Sequence, residues 1–326
     1  MQAIEIKKSD DPSKNKLSLT TRPIPEPRDG EVLIKVKAAG INRPDLFQVA
    51  GFYPPPEGIT DIPGLEVAGI IEKGNDVWQE GQEVCALIAG GGYAQYVICP
   101  NEQILGKPKD WSFEQAAGLP ETLFTVWANL ESFFLDEAED KALLVHGGSS
   151  GIGHIAIQLA KAFNVKIAVT AGSQEKLDFC KKLGADLTIN HKTEDFEDKI
   201  TKAWGDAPLT CVLDMVGGDY VEKHLRLLKK YGTHITIATL GGKDAKLDLR
   251  AVLKKNLTLK GTTLRPKTIQ EKRTIRDSIL KHLSKYLDDK RIIPHIFETI
   301  PMKDAQKAHE ILKSSNHMGK VILIAD

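Results

Sequence analysis

The sequence is short of several things, and each shortage narrows what the chain can be. Its 326 residues include only four cysteines, Cys85, Cys99, Cys180 and Cys211, widely spaced and with no C-x-x-C pair. That spacing reads as free thiols in a reducing compartment. No apolar run approaches the length of a membrane span. The opening MQAIEIKK alternates like a half-buried strand and has no apolar signal-peptide stretch. A cytoplasmic globular protein is therefore expected. Neither sign of charge is in excess, with 44 Lys and Arg against 44 Asp and Glu. No global field draws a polyanion, and pairs such as Lys229-Lys230 and Lys254-Lys255 sit in amphipathic contexts, as solvated faces do. With few exposed-looking aromatics as well, the composition argues against a nucleic-acid surface.

What the chain does have is a glycine-rich turn between a strand and a helix. Leu143-Leu144-Val145 is a short apolar run suited to a strand buried on both faces. Gly147 to Gly153 (GGSSGIG) follows, and beyond it Ile155, Ala156, Leu159 and Ala160 recur at helical spacing. Strand, glycine turn and helix form the context in which such a motif indicates a dinucleotide site, with backbone close to a pyrophosphate and free amides at the helix start. The spacing departs from G-x-G-x-x-G: Ser150 holds the middle position and Gly151 stands beside it. A second buried strand, Val165 to Thr170, ends at Gly172-Ser173, with Lys176 close behind and no carboxylate before Glu175. An NAD site usually places an acid there, whereas a hydroxyl and a cation suit the 2′-phosphate of NADPH.

The chain falls into two rhythms. Up to about Lys107 it is strand-rich and broken by Gly and Pro, with Glu31–Ala38, Leu65–Lys73, Glu83–Ile88 and Ala94–Ile98 as short strands of a compact, barrel-like domain. Phe113–Ala117 starts a helical segment and Leu123–Phe134 continues as a long helix. From Lys141 strands alternate with helices: LLVHG, KIAVTA, DLTIN, CVLDMV, THITIA and LTLKGT suit a doubly wound parallel sheet. A helix over about 269–289, a segment Ile292–Phe297, a helix Met302–Lys313 and a strand Lys320–Ile324 follow. The last strand has no place in a six-stranded sheet and is expected to return to the N-terminal domain.

Several motifs in order resemble the medium-chain dehydrogenase/reductase superfamily. They are GEVLIKVKAAGINRPDLFQVAGFYPPP (Gly30–Pro56), PGLEVAGII (Pro63–Ile71), VHGGSSGIG, VTAGSQEKL (Val169–Leu177), LDMVGG (Leu213–Gly218) and GKVIL (Gly319–Leu323). Within that superfamily the chain resembles the quinone oxidoreductase branch, in particular the p53-inducible and zeta-crystallin-like quinone reductases. The resemblance implies an α/β fold in two domains. The first is a GroES-like β-rich catalytic domain over residues 1–118 and 265–326. The second is a Rossmann NADPH-binding domain, with a doubly wound parallel sheet, over residues 119–264.

The resemblance also implies function. Zinc enzymes of the superfamily carry Cys where this chain has Asn42 and His where it has Leu65, and the four-cysteine structural zinc lobe is lacking. No metal is therefore expected, since a catalytic zinc needs about three His, Cys or carboxylate ligands. The expected activity is NADPH:quinone oxidoreduction in a cleft between the domains. The alternatives are an NADPH-dependent reductase of enals, enones or enoyl thioesters, and an NADPH-binding structural or RNA-binding protein. Tyr53, in GFYPPP, and Asn42 are the catalytic candidates: the phenol as a donor to the acceptor oxygen, or packed on the prolines, and the amide toward the ribose or acceptor, or stabilising a turn. Gly148, Ser149, Ser150, Gly151, Ile152 and Gly153 are expected to line the pyrophosphate. Gly172, Ser173, Lys176 and His191 face the 2′-phosphate end, His191 replacing a tyrosine common in the group. Gly217 would admit adenosine, and Thr125, Thr239 and Leu240 would flank the nicotinamide. Lys320 either reaches the cofactor or lies at the surface. A homodimer, or a tetramer, is expected through the edge of the nucleotide-domain sheet.

Overall fold

The computed structural model describes residues 1–325. The chain divides into two compact units, one of residues 1–125 and 264–326 and the other of residues 126–263.

The first unit is built on strand pairing. β1 (Gln2–Lys7) and β2 (Lys16–Thr21) form an antiparallel pair. β3 (Glu31–Gly40) is followed by a short helix α1 (Arg43–Val49), then β4 (Glu66–Lys73), β5 (Glu83–Leu87), β6 (Tyr96–Pro100) and β7 (Ile104–Gly106). α2 (Phe113–Ala117) leads into α3 (Pro120–Leu135), on which the chain leaves this unit. After the second unit the chain re-enters it.

In the second unit β8 (Ala142–Val145), α4 (Gly151–Ala162), β9 (Lys166–Ala171), α5 (Gln174–Leu183), β10 (Leu187–Asn190) and α6 (Phe196–Trp204) alternate. The alternation continues through β11 (Leu209–Asp214), α7 (Tyr220–Leu227), β12 (Leu228–Thr236), α8 (Leu249–Lys255) and β13 (Thr258–Gly261). Back in the first unit come α9 (Ile269–Asp288), β14 (Ile296–Pro301), α10 (Ala305–Ser314) and β15 (Lys320–Ile324).

The sheet of the first unit runs β14-β15-β3-β4-β5-β7, with β6 also paired to β3. β15 pairs antiparallel with Ala38–Gly40 of β3, so the terminal strand does return to this sheet. The reason lies in its composition: Val321, Ile322 and Leu323 are fully buried, and only a central position covers both faces of such a run. Several boundaries differ from expectation, three of them as follows. The strand expected over Ala94–Ile98 begins at Tyr96, the long helix begins earlier, at Pro120, and Ile292–Phe297 becomes strand only from Ile296. Pro120 explains the second, since a proline with preset φ fits a helix start.

The second unit has a six-stranded sheet in the order β10-β9-β8-β11-β12-β13, parallel throughout. Taken from its first strand this is the order 3-2-1-4-5-6 of a dinucleotide-binding sheet, whose ligand crevice lies at the carboxyl ends of the strands. Leu144, Ala168, Val212, Phe196, Ile200 and Leu225 are part of its core.

Candidate functional site

In the nucleotide-binding unit the expected contacts gather at the carboxyl ends of successive strands. Gly147 to Ser150 follow β8, Gly172 and Ser173 follow β9, His191 follows β10, Gly217 follows β11, and Thr239 and Leu240 follow β12. The departure from the usual glycine spacing has a local cause. Ser150 is the N-cap of α4, its hydroxyl accepting from the Gly153 amide at 3.1 Å, while Gly151 and Ile152 open the helix. Gly153 is obligatory: a Cβ there would lie 2.3 Å from the Gly147 carbonyl oxygen and 2.5 Å from the Gly148 Cα. Helix and turn therefore approach more closely than any side chain permits, and the amides at the start of α4 are positioned for an anion. Ser149 is buried beside them.

Cations collect beyond β9. Ser173 caps α5. A Cβ on Gly172 would meet His191 Nε2 at 3.0 Å and Lys192 Nζ at 3.6 Å, so both groups lie over this turn. Burial, and then the charge of Lys192, lowers the pKa of both Lys176 and His191. Positive groups crowded together in this way are relieved by an anion. Sequence reasoning does not single out Lys192; the signal for it is its place next to His191 in INHKTEDF. Thr239 and Leu240 are exposed, and Leu240 donates its amide to the Met215 carbonyl, which pins this loop to the one after β11.

The other unit holds a buried polar cluster around Asn42. Asn42 precedes α1 and its amide N–H donates to Asp45 at 2.8 Å. Its side-chain nitrogen donates to Glu66 Oε1 at 2.9 Å. Lys320, only 2% exposed, donates to Asn42 Oδ1 at 2.6 Å and to the Ile41 carbonyl at 3.0 Å, and lies 2.6 Å from Glu66 Oε1. The other Glu66 oxygen accepts the Glu121 amide at 2.9 Å. Room for Glu66 comes from Gly40, where a Cβ would stand 2.1 Å from Oε1. Lys320 is thus no surface lysine. Its three ammonium hydrogens have three partners inside this unit.

The same geometry tests the fit of a catalytic zinc. Position 42 offers an amide, Leu65 offers no donor, and an ammonium group already holds the Glu66 carboxylate next to it. This donor set does not fit the ion.

Tyr53 is half-buried and lies under Arg265, whose guanidinium is 5.3 Å from the ring centroid and donates to the Tyr53 carbonyl at 3.3 Å. Arg265 is fixed in turn by the Ala89 carbonyl at 2.7 Å and Gln48 Oε1 at 2.8 Å. Burial and the nearby Glu121 raise the pKa of the Tyr53 phenol, with Arg265 opposing, so it remains a donor at neutral pH. Glu121 is a second residue that sequence reasoning misses. Burial first, then the charges of Glu66 and Asp45, push its carboxyl up to about 8. The available signal is a lone acid in the apolar stretch GLPETLFTVW. Thr125 is half-buried on α3.

A parallel sheet with an anion-ready glycine turn, joined in one chain to a barrel-like unit with a polar cluster, defines a two-domain nicotinamide-type dehydrogenase or reductase. Two family descriptions match in that chain: "Alcohol dehydrogenase GroES-like domain" over residues 28–109 and "Zinc-binding dehydrogenase" over residues 151–281. The quinone oxidoreductase of Sus scrofa is 30% identical, over 99% of this chain and 98% of its own. Among solved structures, the quinone oxidoreductase of Thermus thermophilus, determined also as its complex with NADPH, superposes with TM-score 0.84 at 28% identity, covering 99% of this chain and 100% of that one. An NAD-dependent alcohol dehydrogenase superposes with TM-score 0.86 at 25% identity, each chain fully covered. The chain belongs to the medium-chain dehydrogenase/reductase superfamily, in its quinone oxidoreductase branch.

Proposed function

We propose that the protein is an NADPH:quinone oxidoreductase that works without zinc. The observation that carries this reading is Lys320, bonded to Asn42 and Glu66 where a metal-dependent relative needs ligands. Without a Lewis acid the acceptor must take a hydride readily, as quinones do. NADPH supplies the hydride when bound. The chain contributes binding and hydrogen bonds. The turn from Gly148 to Gly153 receives the pyrophosphate, and Ser173, Lys176, His191 and Lys192 receive the 2′-phosphate. Gly217, Thr125, Thr239 and Leu240 complete the nucleotide contacts. The Tyr53 phenol donates to the acceptor oxygen as negative charge develops there, and Arg265 keeps the ring in place. Asn42 orients ribose or acceptor, and Lys320 positions Asn42.

The four buried free thiols suit a reducing compartment such as the cytoplasm, and among the described residues no helix is long and apolar enough to cross a membrane. Self-association as a dimer fits the exposed edge strand β13.

The test is NADPH oxidation by chelator-treated protein against a benzoquinone, an ortho-quinone, an enal and an enoyl thioester, with NADH in parallel. Quinone turnover with NADPH well above NADH supports the proposal. Turnover of the alkenes alone moves the protein to the activated-alkene reductases, and zinc found bound at Glu66 in the active protein refutes the zinc-free reading.

A further inference from the structure

Apart from the polar cluster around Asn42, the nucleotide-binding unit encloses a second group of buried polar side chains that hydride transfer does not use. Asp214 ends β11, His224 lies on α7, His234 on β12, and His146 directly follows β8. All four are 3% exposed or less. Three of their atoms form a small triangle. His224 Nδ1 is 3.2 Å from His234 Nε2, His234 Nε2 is 3.2 Å from Asp214 Oδ2, and His224 Nδ1 is 3.7 Å from Asp214 Oδ2. The two imidazoles meet nitrogen to nitrogen, their ring centroids 5.2 Å apart at an interplanar angle of 28°.

We propose that this triangle is a binding site for a divalent transition metal of the zinc class, with His224, His234 and Asp214 as its protein ligands and a water completing the tetrahedron. Tetrahedral zinc with bonds of about 2.0–2.1 Å requires donors about 3.3 Å apart, and the three edges bracket that spacing. The donor set, two imidazole nitrogens and one carboxylate oxygen, suits zinc, cobalt or nickel and not magnesium or calcium.

The surroundings match the same role. The second nitrogen of His224 lies 2.7 Å from His146 Nε2, and His146 Nδ1 lies 3.0 Å from Thr170 Oγ1. With a metal on Nδ1, the His224 Nε2 hydrogen points to His146 and the His146 Nδ1 hydrogen to Thr170, the relay by which outer partners fix the tautomer of a metal-bound imidazole. Asp214 is held independently: Oδ1 accepts the Val216 and Gly217 amides at 2.7 and 3.1 Å, the Gly217 amide being shared with Oδ2 at 3.1 Å.

In that tautomer, and with no cation, one hydrogen serves two acceptors of the triangle. Once His224 gives its hydrogen to His146, the single His234 Nε2 hydrogen is left to satisfy both Asp214 Oδ2 and His224 Nδ1. His234 also lines a cavity of about 260 Å³ bounded by Gly217, Gly218, Thr239 and Leu259. The site is separate from the zinc position that Asn42 and Leu65 rule out. A metal here would tie β11, α7 and β12 together and brace the loop that Asp214 holds.

The test uses the full chain stripped with a chelator and titrated with Co²⁺ alone. Saturation at one equivalent with the intense visible bands of tetrahedral cobalt, displaced by Zn²⁺ and accompanied by a rise in Tm, is the expected result. His234→Gln should abolish the bands and His146→Gln should weaken binding by about 10- to 100-fold, while His295→Gln, on the other unit, should leave both unchanged. X-ray absorption of the zinc-loaded wild type keeps the test independent of whether buried variants fold: nitrogen and oxygen neighbours alone support the site. Sulfur neighbours, weak octahedral cobalt bands, or bands that survive His234→Gln would overturn it.

Discussion

Lys320 and Glu66 meet at 2.6 Å with side chains that are 2% and 0% exposed, joining the last strand of the chain to β4. A buried ion pair of this kind gives little net stability over an apolar pair, but breaking it leaves a charge in a poor dielectric. Its value here is positional. Lys320 also holds Asn42 Oδ1, so the fixed charge sets the direction of the amide.

Removing one partner should therefore do more damage than removing both. Lys320→Met is expected to lower stability by about 3–5 kcal/mol, and adding Glu66→Gln should restore part of that loss. Denaturant midpoints of the two single variants and the double variant check it. Additive effects would show that the pair is not coupled.

The cationic turn beyond β9 makes a prediction about the nucleotide. Lys192 lies over Gly172 and, after burial, its charge depresses the pKa of Lys176 and His191, so an anion bound there is favoured by all three groups. Lys192→Ala should raise KM for NADPH about tenfold or more, the value of one charged hydrogen bond, and leave KM for NADH unchanged. Equal changes with both nucleotides would place Lys192 outside the 2′-phosphate contact.

Much of the fold is legible in the sequence because patterns with a single solution carry it. The buried runs LLV, IAV and CVLD have no wet face and fit only a parallel sheet covered on both sides, and the apolar terminal strand has to lie inside another sheet. The nucleotide turn is legible for the same reason. The polar cluster is not. Lys320, Glu66, Asn42 and Glu121 lie far apart in the chain, and only tertiary packing shows that a lysine in GKVIL is buried or that an acid after Pro120 faces other acids. The tight spacing at Gly40 that admits Glu66 likewise leaves no mark on local periodicity.

Glu121 links that cluster to pH. Its folded pKa of about 8 lies above its ordinary 4.5, so the native state holds the proton more tightly than the unfolded chain. The stability this contributes is complete below the ordinary value and is lost as pH rises through about 8, at no more than about 1.4 kcal/mol per pH unit. Tm should therefore fall between pH 5 and pH 8, and Glu121→Gln should flatten that part of the profile. An unchanged slope in the variant would assign the titration to another group.

The edge of the nucleotide-binding sheet should mediate self-association. β13 is exposed along its length, and Leu249 and Leu253 of α8, which precedes it, are 64% and 76% exposed. Exposed large apolar side chains and an unpaired strand edge each mark an association surface. Sedimentation should give a mass of two chains or four, and Leu253→Glu should shift it toward one. A wild-type mass of one chain would refute the dimer.

Tyr53 separates chemistry from packing. Arg265 stacks on its ring and bonds its carbonyl oxygen, and neither contact involves the phenol. Tyr53→Phe therefore keeps the loop in place and removes only the donor. If the phenol stabilises charge on the acceptor oxygen, kcat for a quinone should fall by about 10²- to 10³-fold, the loss seen when an oxyanion donor is removed, with little change in KM for NADPH. Arg265→Met should act differently, freeing the loop and raising KM for the quinone. If Tyr53→Phe retains full kcat, the ring only packs, and the proton must come from another group or from water.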